Sequence, residues 1–436
     1  MRFTFFKNTF LIALPLTMLV CFSCGSQNNE EKKGNTVDKI VPKETINEEQ
    51  NNDIIVGAAQ FWKYKKRLEG KKVGVVANQT SEIVYLDSLG PKRAFGNPGP
   101  EYYFIENHLV DFLLSEGIQI EKIFSPEHGF RGTADAGAEV KDGKDTQTGL
   151  PIFSLHGKNK KPTPEQMEGL EVMVFDIQDV GVRFYTYLST LHYVMEACAE
   201  ANIPLIVLDR PNPNAHYVDG PMMEPANTGF LGLHPVPLVY GMTIGEYAQM
   251  INGEEWLKDK MRCDLTVIPV KNYTHQMKYS LPVRPSPNLP NDQAINLYPS
   301  LGLLEGTNLN AGRGTEMQFQ ILGSPYLPKD KYPFTYTPQP NFGSSNPKFN
   351  GVECHGIDLR NTPRLDKVDL RWIIDAYHNY TQKETFFNTK NFTAHAGTAK
   401  LQQQIEAGLL SKEISESWKP DLERFKIIRE KYLLYK

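Results

Sequence analysis

Short apolar runs alternate along the chain with stretches in which apolar residues recur every three to four positions. Each run has the length of a buried strand, and each periodic stretch has the spacing of a helix that packs on one face. The strand-like runs lie at residues 72–78, 120–124, 171–177, 204–208 and 264–270. Helical spacing occurs at 104–113, 184–202 and 243–256, where Thr243 and Glu246 form a capping-box sequence. Apolar strands separated by helices predict an α/β fold, a Rossmann-like, mostly parallel sheet covered on both faces.

The pattern changes after residue 285. A proline-rich stretch at 284–290 leads into glycine-rich turns, and shorter elements follow. These later elements are a strand at 352–359 and helices at 370–380, 399–410 and 421–434. Because 436 residues exceed what one hydrophobic core usually organises, we predict two domains. A Rossmann-like domain takes up residues 53–285, and a smaller α/β domain takes up residues 286–436.

The first 52 residues have the character of a targeting sequence and a tether. A short basic segment precedes an apolar run at 11–22, which is too short to span a bilayer and ends in small residues, so residues 1–23 are predicted to be a signal peptide. Cys24 then resembles the acylated cysteine of a bacterial lipoprotein. Residues 24–52 are polar and poor in aromatics, as expected of a flexible tether. We expect the protein in the cell envelope, at the periplasm or outer membrane, with its lipid anchor as its only membrane contact.

Composition excludes several classes of protein. Hydrophobic residues make up 40% and charged residues 22%, which is typical of a globular protein. The formal net charge of −4, without a basic stripe, makes nucleic acid an unsuitable partner. The first strand has no G-x-G-x-x-G turn and the chain has no P-loop, so no nucleotide or other cofactor is expected. No H-x-H or H-E-x-x-H spacing is present, and the C-x-x-C at 21–24 lies within the targeting sequence, so no metal site is expected either.

Polar residues follow four of the predicted strands. In open α/β sheets, ligands bind beyond the carboxyl ends of the strands. The polar groups in question are Asn78; Glu127 and His128; Asp176, Gln178 and Asp179; and Asp209 and Arg210. Helix capping is the simpler explanation for any single Asp or Asn after a strand. Four such groups in succession favour a functional site at this edge. The later glycine-rich turns bring four more polar residues close together in sequence: Glu305, Asn308, Arg313 and Glu316. They could belong to the same site, and the alternative is an ordinary loop with a surface ion pair.

Five sequence blocks resemble those of one bacterial envelope family. The blocks are FSPEHGFRG at 124–132, FDIQDVGVRFYTY at 175–187, DRPNP at 209–213, EGTN at 305–308 and WKPD at 418–421. They are similar to the NamZ-type exo-β-N-acetylmuramidases, and the resemblance extends over nearly the whole chain after the tether. It implies a Rossmann-like domain, a smaller domain and an active-site cleft between them. It also implies release of terminal N-acetylmuramic acid from the non-reducing end of peptidoglycan fragments during cell-wall turnover.

Hydrolysis of a glycosidic bond usually needs two carboxyl groups, one of which protonates the leaving oxygen. Glu127 is our first candidate, as general acid or nucleophile, because it follows a strand within the block at 124–132, and His128 could orient it. We favour Asp176 as the second carboxyl group because it ends a central strand. Asp209, Glu305 and Glu316 are the alternatives.

The substrate implied by the resemblance carries a lactyl carboxylate, which an arginine fork would bind. The candidate arginines are Arg131, Arg183, Arg210 and Arg313. Tyr185 could stack on the sugar ring. The other candidate substrate-binding residues are Asn78, Gln178, Asp179, Asp209, Glu305 and Asn308. An envelope lipoprotein that binds a sugar or muropeptide without cleaving it is the alternative function, and it would need a cleft but no reactive carboxyl pair.

Overall fold

The computed structural model describes residues 53–87, 103–131 and 142–435. The predicted signal peptide, the tether and Cys24 lie outside these residues. No helix in the described part of the chain has the length and apolar character that a membrane span requires.

Fourteen strands occur in the described ranges. In chain order they are β1 Val73–Ala77, β2 Glu82–Asp87, β3 Tyr103–His108, β4 Ile120–Ser125, β5 Gly143–Lys144, β6 Pro151–Ser154, β7 Val172–Asp176, β8 Leu205–Leu208, β9 Asp219–Met222, β10 Pro237–Val239, β11 Leu265–Ile268, β12 Ile321–Ser324, β13 Phe334–Tyr336 and β14 Cys354–Asp358. The helices are α1 Lys65–Leu68, α2 Leu109–Ser115, α3 Pro164–Met167, α4 Tyr187–Ala201, α5 Ile244–Gly253, α6 Asp292–Leu301, α7 Arg371–Asn379, α8 Thr389–Ala396, α9 Lys400–Glu406 and α10 Ser411–Glu430.

Seven strands form one sheet in the order β11-β8-β7-β1-β4-β6-β5, and all pairs except β5 with β6 are parallel. Strands β1 and β7 are buried along their whole length, which explains their continuous apolar sequence. The chain moves outwards from β1 to β4 on one side and from β7 through β8 to β11 on the other. The carboxyl ends of β1 and β7 therefore mark the point where the strand order reverses, which is where open α/β sheets bind ligands. The predicted mostly parallel sheet is confirmed.

Local sequence explains where several helices begin and end. In α5 the Thr243 hydroxyl accepts from the backbone N–H of Glu246, and the Glu246 carboxylate accepts from the backbone N–H of Thr243, so the predicted capping box is confirmed. Helix α4 ends at Ala201, and its C-cap Asn202 has a φ of 51°, in the left-handed region that Asn tolerates better than most residues. Asn291 accepts from the backbone N–H of Ala294 at the start of α6.

Two predicted helices differ from the structure. Residues 103–108 form strand β3, which pairs with β2 in an antiparallel hairpin, and the helix begins only at Leu109. The periodicity of a short apolar run does not distinguish a helix from a strand. Here pairing with β2 makes residues 103–108 a strand. The last predicted helix, at 421–434, begins at Ser411 instead. Pro420 lies inside α10 rather than at its start, and buried Trp418, Leu422 and Phe425 anchor the helix on both sides of it.

After residue 285 the chain adds a small antiparallel sheet in the order β12-β14-β13 together with helices α6 to α10. A smaller domain is therefore present beside the large sheet. One hydrophobic cluster nevertheless includes Leu188 and Val207 from the first part and Leu304 and Phe392 from the second. The core is continuous across residue 285, and the boundary at that residue stays a prediction.

Candidate active site

A cavity of about 130 Å³ lies beyond the carboxyl end of β4 and the start of α4. Its walls come from both sides of residue 285. The lining residues are Glu127, His128, Phe184, Tyr185, Thr186, Leu231, Ser286, Asn288, Leu289, Tyr298, Glu305, Arg313, Phe319 and His395. Among the residues predicted from sequence, the structure brings Glu127, His128, Tyr185, Glu305 and Arg313 together here.

Glu127 is positioned by the sharp turn that follows β4 and by the N-cap residue of α4. His128 and Gly129 have φ angles of 73° and 78°, so two successive residues in left-handed conformations reverse the chain. Such a conformation is uncommon for a residue with a side chain, and it is found at constrained functional sites. The hydroxyl of Thr186, the N-cap of α4, donates to Oε2 of Glu127 over 2.8 Å. This carboxyl group therefore lies at the positive end of the α4 dipole.

Glu305 is a second carboxyl group in the same cavity. Its Oε1 accepts from Nε of Arg313 over 2.9 Å. Burial would raise the pKa of Glu305, but the positive charges of Arg313 and Lys348 outweigh it and lower the pKa to about 2. Nζ of Lys348 donates to four backbone carbonyls of the loop that carries Glu305. They belong to Leu304, Glu305, Thr307 and Leu309, at 2.8 to 3.3 Å. The loop is thus fixed, and its carboxylate is ionised at ordinary pH.

Aromatic rings form much of the remaining wall. The hydroxyl of Tyr185 donates to the carbonyl of Pro285 over 2.6 Å. Tyr298 packs edge-to-face against Phe184 and Phe319, at centroid distances of 5.1 and 4.7 Å. The guanidinium of Arg313 lies 5.1 Å from the ring centre of Phe319. The Tyr185 hydroxyl is thus engaged within the protein, and stacking of its ring on a sugar stays a prediction.

Asp176 does not reach the cavity. Its two oxygens accept from Nε and a terminal nitrogen of Arg210 at 2.6 and 2.8 Å, and both side chains are almost fully buried. Such a pair is held by mutual charge and is costly to break. This pair engages both oxygens of Asp176 away from the cavity, so the geometry does not favour Asp176 as the second carboxyl group, and substrate binding by Arg210 stays a prediction.

Two further predicted arginines are also engaged elsewhere. Arg131 forms a bidentate ion pair with Asp145, at 2.9 and 3.0 Å from one terminal nitrogen. Arg183 is buried, and its acceptors among the described residues are backbone carbonyls. Its acceptors are Pro221 and Val236 at 2.8 Å, His395 at 3.1 Å and Ala396 at 2.7 Å. Of the four predicted arginines, Arg313 alone lines the cavity.

Four more predicted residues form hydrogen bonds within the protein. The side chain of Asn78 bonds Thr80 and the Tyr187 hydroxyl, and that of Gln178 donates to the carbonyls of Asp179 and Pro211. Asp179 accepts from the Tyr240 hydroxyl and the Gly181 N–H, and burial raises its pKa to about 6. The backbone of Asn308 bonds Phe386 and Tyr380. None of these four lines the cavity.

Asp209 caps helix α5, which is the simpler explanation given above for a single Asp after a strand. Its carboxylate accepts from the Thr243 hydroxyl and the Gly245 N–H, both at 2.7 Å, at the start of α5. The Tyr435 hydroxyl also donates to it, over 2.5 Å. Burial and then the nearby Glu246 charge raise the pKa of Asp209 to about 7.

Sequence reasoning missed Thr186 and His395. Thr186 lies within the block at 175–187, directly after the candidate Tyr185, so its position in that block was the available signal. His395 lies in α8 in the sequence NFTAHA, which no motif distinguishes.

Within the described residues, no group of three His, Cys, Asp or Glu side chains is arranged to hold a metal ion.

The sequence matches the family described as exo-β-N-acetylmuramidase NamZ, its N-terminal part over residues 101–293 and its C-terminal part over residues 296–435. It is 38% identical over 391 residues to the peptidoglycan β-N-acetylmuramidase NamZ of Bacillus subtilis, covering 85% of this chain and 89% of that protein. The chain belongs to the NamZ family. Two crystal structures of DUF1343 family proteins from Bacteroides fragilis are also similar. They are 42% and 26% identical, have TM-scores of 0.76 and 0.72, and each match covers 88% of this chain and 99% of the other.

Proposed function

We propose that this protein is an exo-acting β-N-acetylmuramidase, a glycoside hydrolase that releases terminal N-acetylmuramic acid from the non-reducing end of peptidoglycan fragments. The observation that carries the proposal is a small cavity in which two carboxyl groups, Glu127 and Glu305, have different surroundings. Membership of the NamZ family supplies the substrate class. Aromatic walls and one cavity-lining arginine match an anionic sugar.

The surroundings of the two carboxyl groups favour different roles. Arg313 and Lys348 hold the pKa of Glu305 at about 2, so this group is a carboxylate that can face the positive charge that develops at the anomeric carbon. Two carboxylates that share one cavity repel each other, so we assign the proton of the pair to Glu127, which delivers it to the leaving oxygen. Thr186 and the α4 dipole then stabilise the carboxylate that Glu127 becomes.

The test is hydrolysis of a chromogenic β-glycoside of N-acetylmuramic acid beside its N-acetylglucosamine analogue, with and without a chelator. We expect turnover of the first, much weaker turnover of the second and no effect of the chelator. Release of single N-acetylmuramic acid units from the non-reducing end of longer fragments would establish the exo mode. Tight binding of the sugar without any hydrolysis would favour the alternative, an envelope lipoprotein that binds a sugar or muropeptide.

We expect Arg313 to distinguish muramic acid from glucosamine by binding the lactyl carboxylate. A charged hydrogen-bonded pair of this kind contributes about 1.5–3 kcal/mol. Arg313→Ala should therefore reduce the ratio of the rates on the two glycosides by roughly tenfold to a hundredfold. Arg313→Ala also removes the ion-pair partner of Glu305, and this second effect should lower both rates together and leave their ratio unchanged. Arg360→Ala, which removes an exposed pair with Asp358, is the control. An unchanged ratio in Arg313→Ala would remove Arg313 from lactyl recognition.

We further propose that the protein is a lipoprotein of the cell envelope, made with a signal peptide and acylated at Cys24. The support is the sequence of residues 1–52, which is apolar at 11–22 and polar from 25 onwards. Cys24→Ala should move the protein from the membrane fraction to the soluble envelope fraction, because the acyl chains of a lipoprotein supply its membrane affinity. Fractionation followed by immunoblotting measures this. Continued complete membrane association of the variant would show that another segment anchors the protein.

A further inference from the structure

Helix α8 brings an imidazole into the cavity from the smaller domain. The ring of His395 lines the cavity, and its Nδ1 lies 2.9 Å from the backbone carbonyl of Asn391. A carbonyl oxygen only accepts hydrogen bonds, so Nδ1 carries the proton and donates. In the neutral ring, Nε2 then has a lone pair, and no described residue forms a hydrogen bond to it. His395 therefore presents an acceptor that none of the described residues uses.

Several contacts fix the position of this ring. The guanidinium of Arg183 caps the end of α8 through the carbonyls of His395 and Ala396, at 3.1 and 2.7 Å. The side chain of Asn391 donates to the Glu305 carbonyl over 2.9 Å, which ties α8 to the loop that carries the ionised carboxylate. Phe184 packs against the imidazole at a centroid distance of 5.3 Å. Arg183 is one of the arginines predicted to bind the lactyl carboxylate. In the structure it positions helix α8.

Burial lowers the pKa of His395, so the neutral form predominates at neutral pH. The charged groups that act on the ring oppose one another. Glu305 favours the imidazolium, whereas Lys348 and Arg313 disfavour it. Glu127 and His128 line the same cavity from the β4 side, and the guanidinium of Arg183 lies behind the backbone of His395.

We propose that His395 is a substrate-binding residue whose Nε2 accepts a hydrogen bond from a hydroxyl or amide N–H of the terminal sugar. The inference rests on the proposed function, since it names how that same cavity holds its sugar. Two other polar side chains of the cavity differ from His395 in their hydrogen bonding. The guanidinium of Arg313 can only donate, and the carboxylate of Glu305 already accepts from Arg313. The neutral Nε2 of His395 is a suitable acceptor for an uncharged hydroxyl or amide N–H of the sugar. Protonation of Nε2 removes this acceptor, so acidification should weaken binding of the sugar.

The experiment compares His395→Phe, which keeps a flat ring without an acceptor, with His395→Gln, which keeps an acceptor that does not titrate. KM and kcat for the muramic acid glycoside are measured from about pH 5 to pH 8. Loss of one neutral hydrogen bond should raise KM of His395→Phe by roughly threefold to tenfold at neutral pH, with a smaller change in kcat. Wild-type KM should rise as pH falls, and KM of both variants should lose that acid-side rise. His395→Gln should keep a KM near that of the wild type at neutral pH.

The control is His378→Gln on the exposed side of α7, which should retain the wild-type pH profile. Calorimetric binding of free N-acetylmuramic acid gives a second readout that needs no turnover. If the wild type binds this sugar but does not hydrolyse the glycoside, the proposed function fails while the His395 inference can still hold. An unchanged KM and unchanged sugar affinity in folded His395→Phe, or an acid-side rise in KM that persists in both variants, would overturn the inference.

Discussion

Glu127→Gln should reduce kcat by about a hundredfold to ten-thousandfold on a muramic acid glycoside whose leaving group needs protonation, because this change removes the proton donor. The glutamine retains an oxygen that can accept from Thr186, so the fold should survive. The loss should be much smaller on a glycoside of an acidic phenol, which departs without protonation. Steady-state kinetics on the two leaving groups, with circular dichroism as the folding check, measures both effects.

Glu423→Gln is the matched control, because Glu423 is an exposed residue of α10 that forms a local ion pair with Lys426. This variant should behave as the wild type on both substrates. A folded Glu127→Gln enzyme with wild-type turnover would remove Glu127 from the mechanism. An equally large loss on both leaving groups would instead make Glu127 the group that faces the anomeric carbon, and the two roles would be exchanged.

The sequence placed several polar groups at one edge of the sheet, and most of them are there for structural reasons. Asn78, Asp176 and Asp209 directly follow or end strands β1, β7 and β8, as predicted. Their oxygens are engaged by a turn, by Arg210 and by the start of α5. A carboxylate that ends a buried strand takes the nearest donor available, and sequence does not show whether that donor belongs to the protein or to a substrate.

Glu127 differs because the backbone after β4 brings this residue to the cavity. The left-handed conformations of His128 and Gly129 turn the chain sharply after β4, and the carboxyl group meets Thr186 at the cavity wall. The block at 124–132 made Glu127 our first candidate for the catalytic carboxyl group. It did not predict a positive φ at a histidine, which only the surrounding structure can impose.

The second half of the cavity could be foreseen only in part. Glu305 and Arg313 were noticed because they are close in sequence, and they do form an ion pair of 2.9 Å. His395 lies more distant along the chain and reaches the cavity because Arg183 holds the end of α8. That contact joins residues 212 positions apart through backbone carbonyls, which have no sequence signature. Pairing at such separation follows from topology rather than from local pattern.

Glu305→Gln is expected to produce the second large loss, again about a hundredfold to ten-thousandfold in kcat. The change removes the negative charge that faces the anomeric carbon and leaves Arg313 and Lys348 without their counter-charge. In contrast to Glu127→Gln, the loss should be similar for both leaving groups, because stabilisation of charge at the anomeric carbon is needed whichever group departs. Kinetics on the same two glycosides therefore assigns the two roles separately.

The pH dependence gives an independent check on Glu305. Its folded-state pKa of about 2 lies below the ordinary value of 4.5, so the ionised group contributes stability above the ordinary value, and this contribution is lost as pH falls towards 2. Between about pH 5 and pH 8 Glu305 is ionised throughout, and any acid-side fall in kcat/KM there belongs to another group. Thermal unfolding midpoints should therefore differ between wild type and Glu305→Gln by a nearly constant amount above about pH 5, and the difference should shrink on further acidification. A difference that grows as the solution becomes more acidic would contradict a carboxylate held ionised by Arg313 and Lys348.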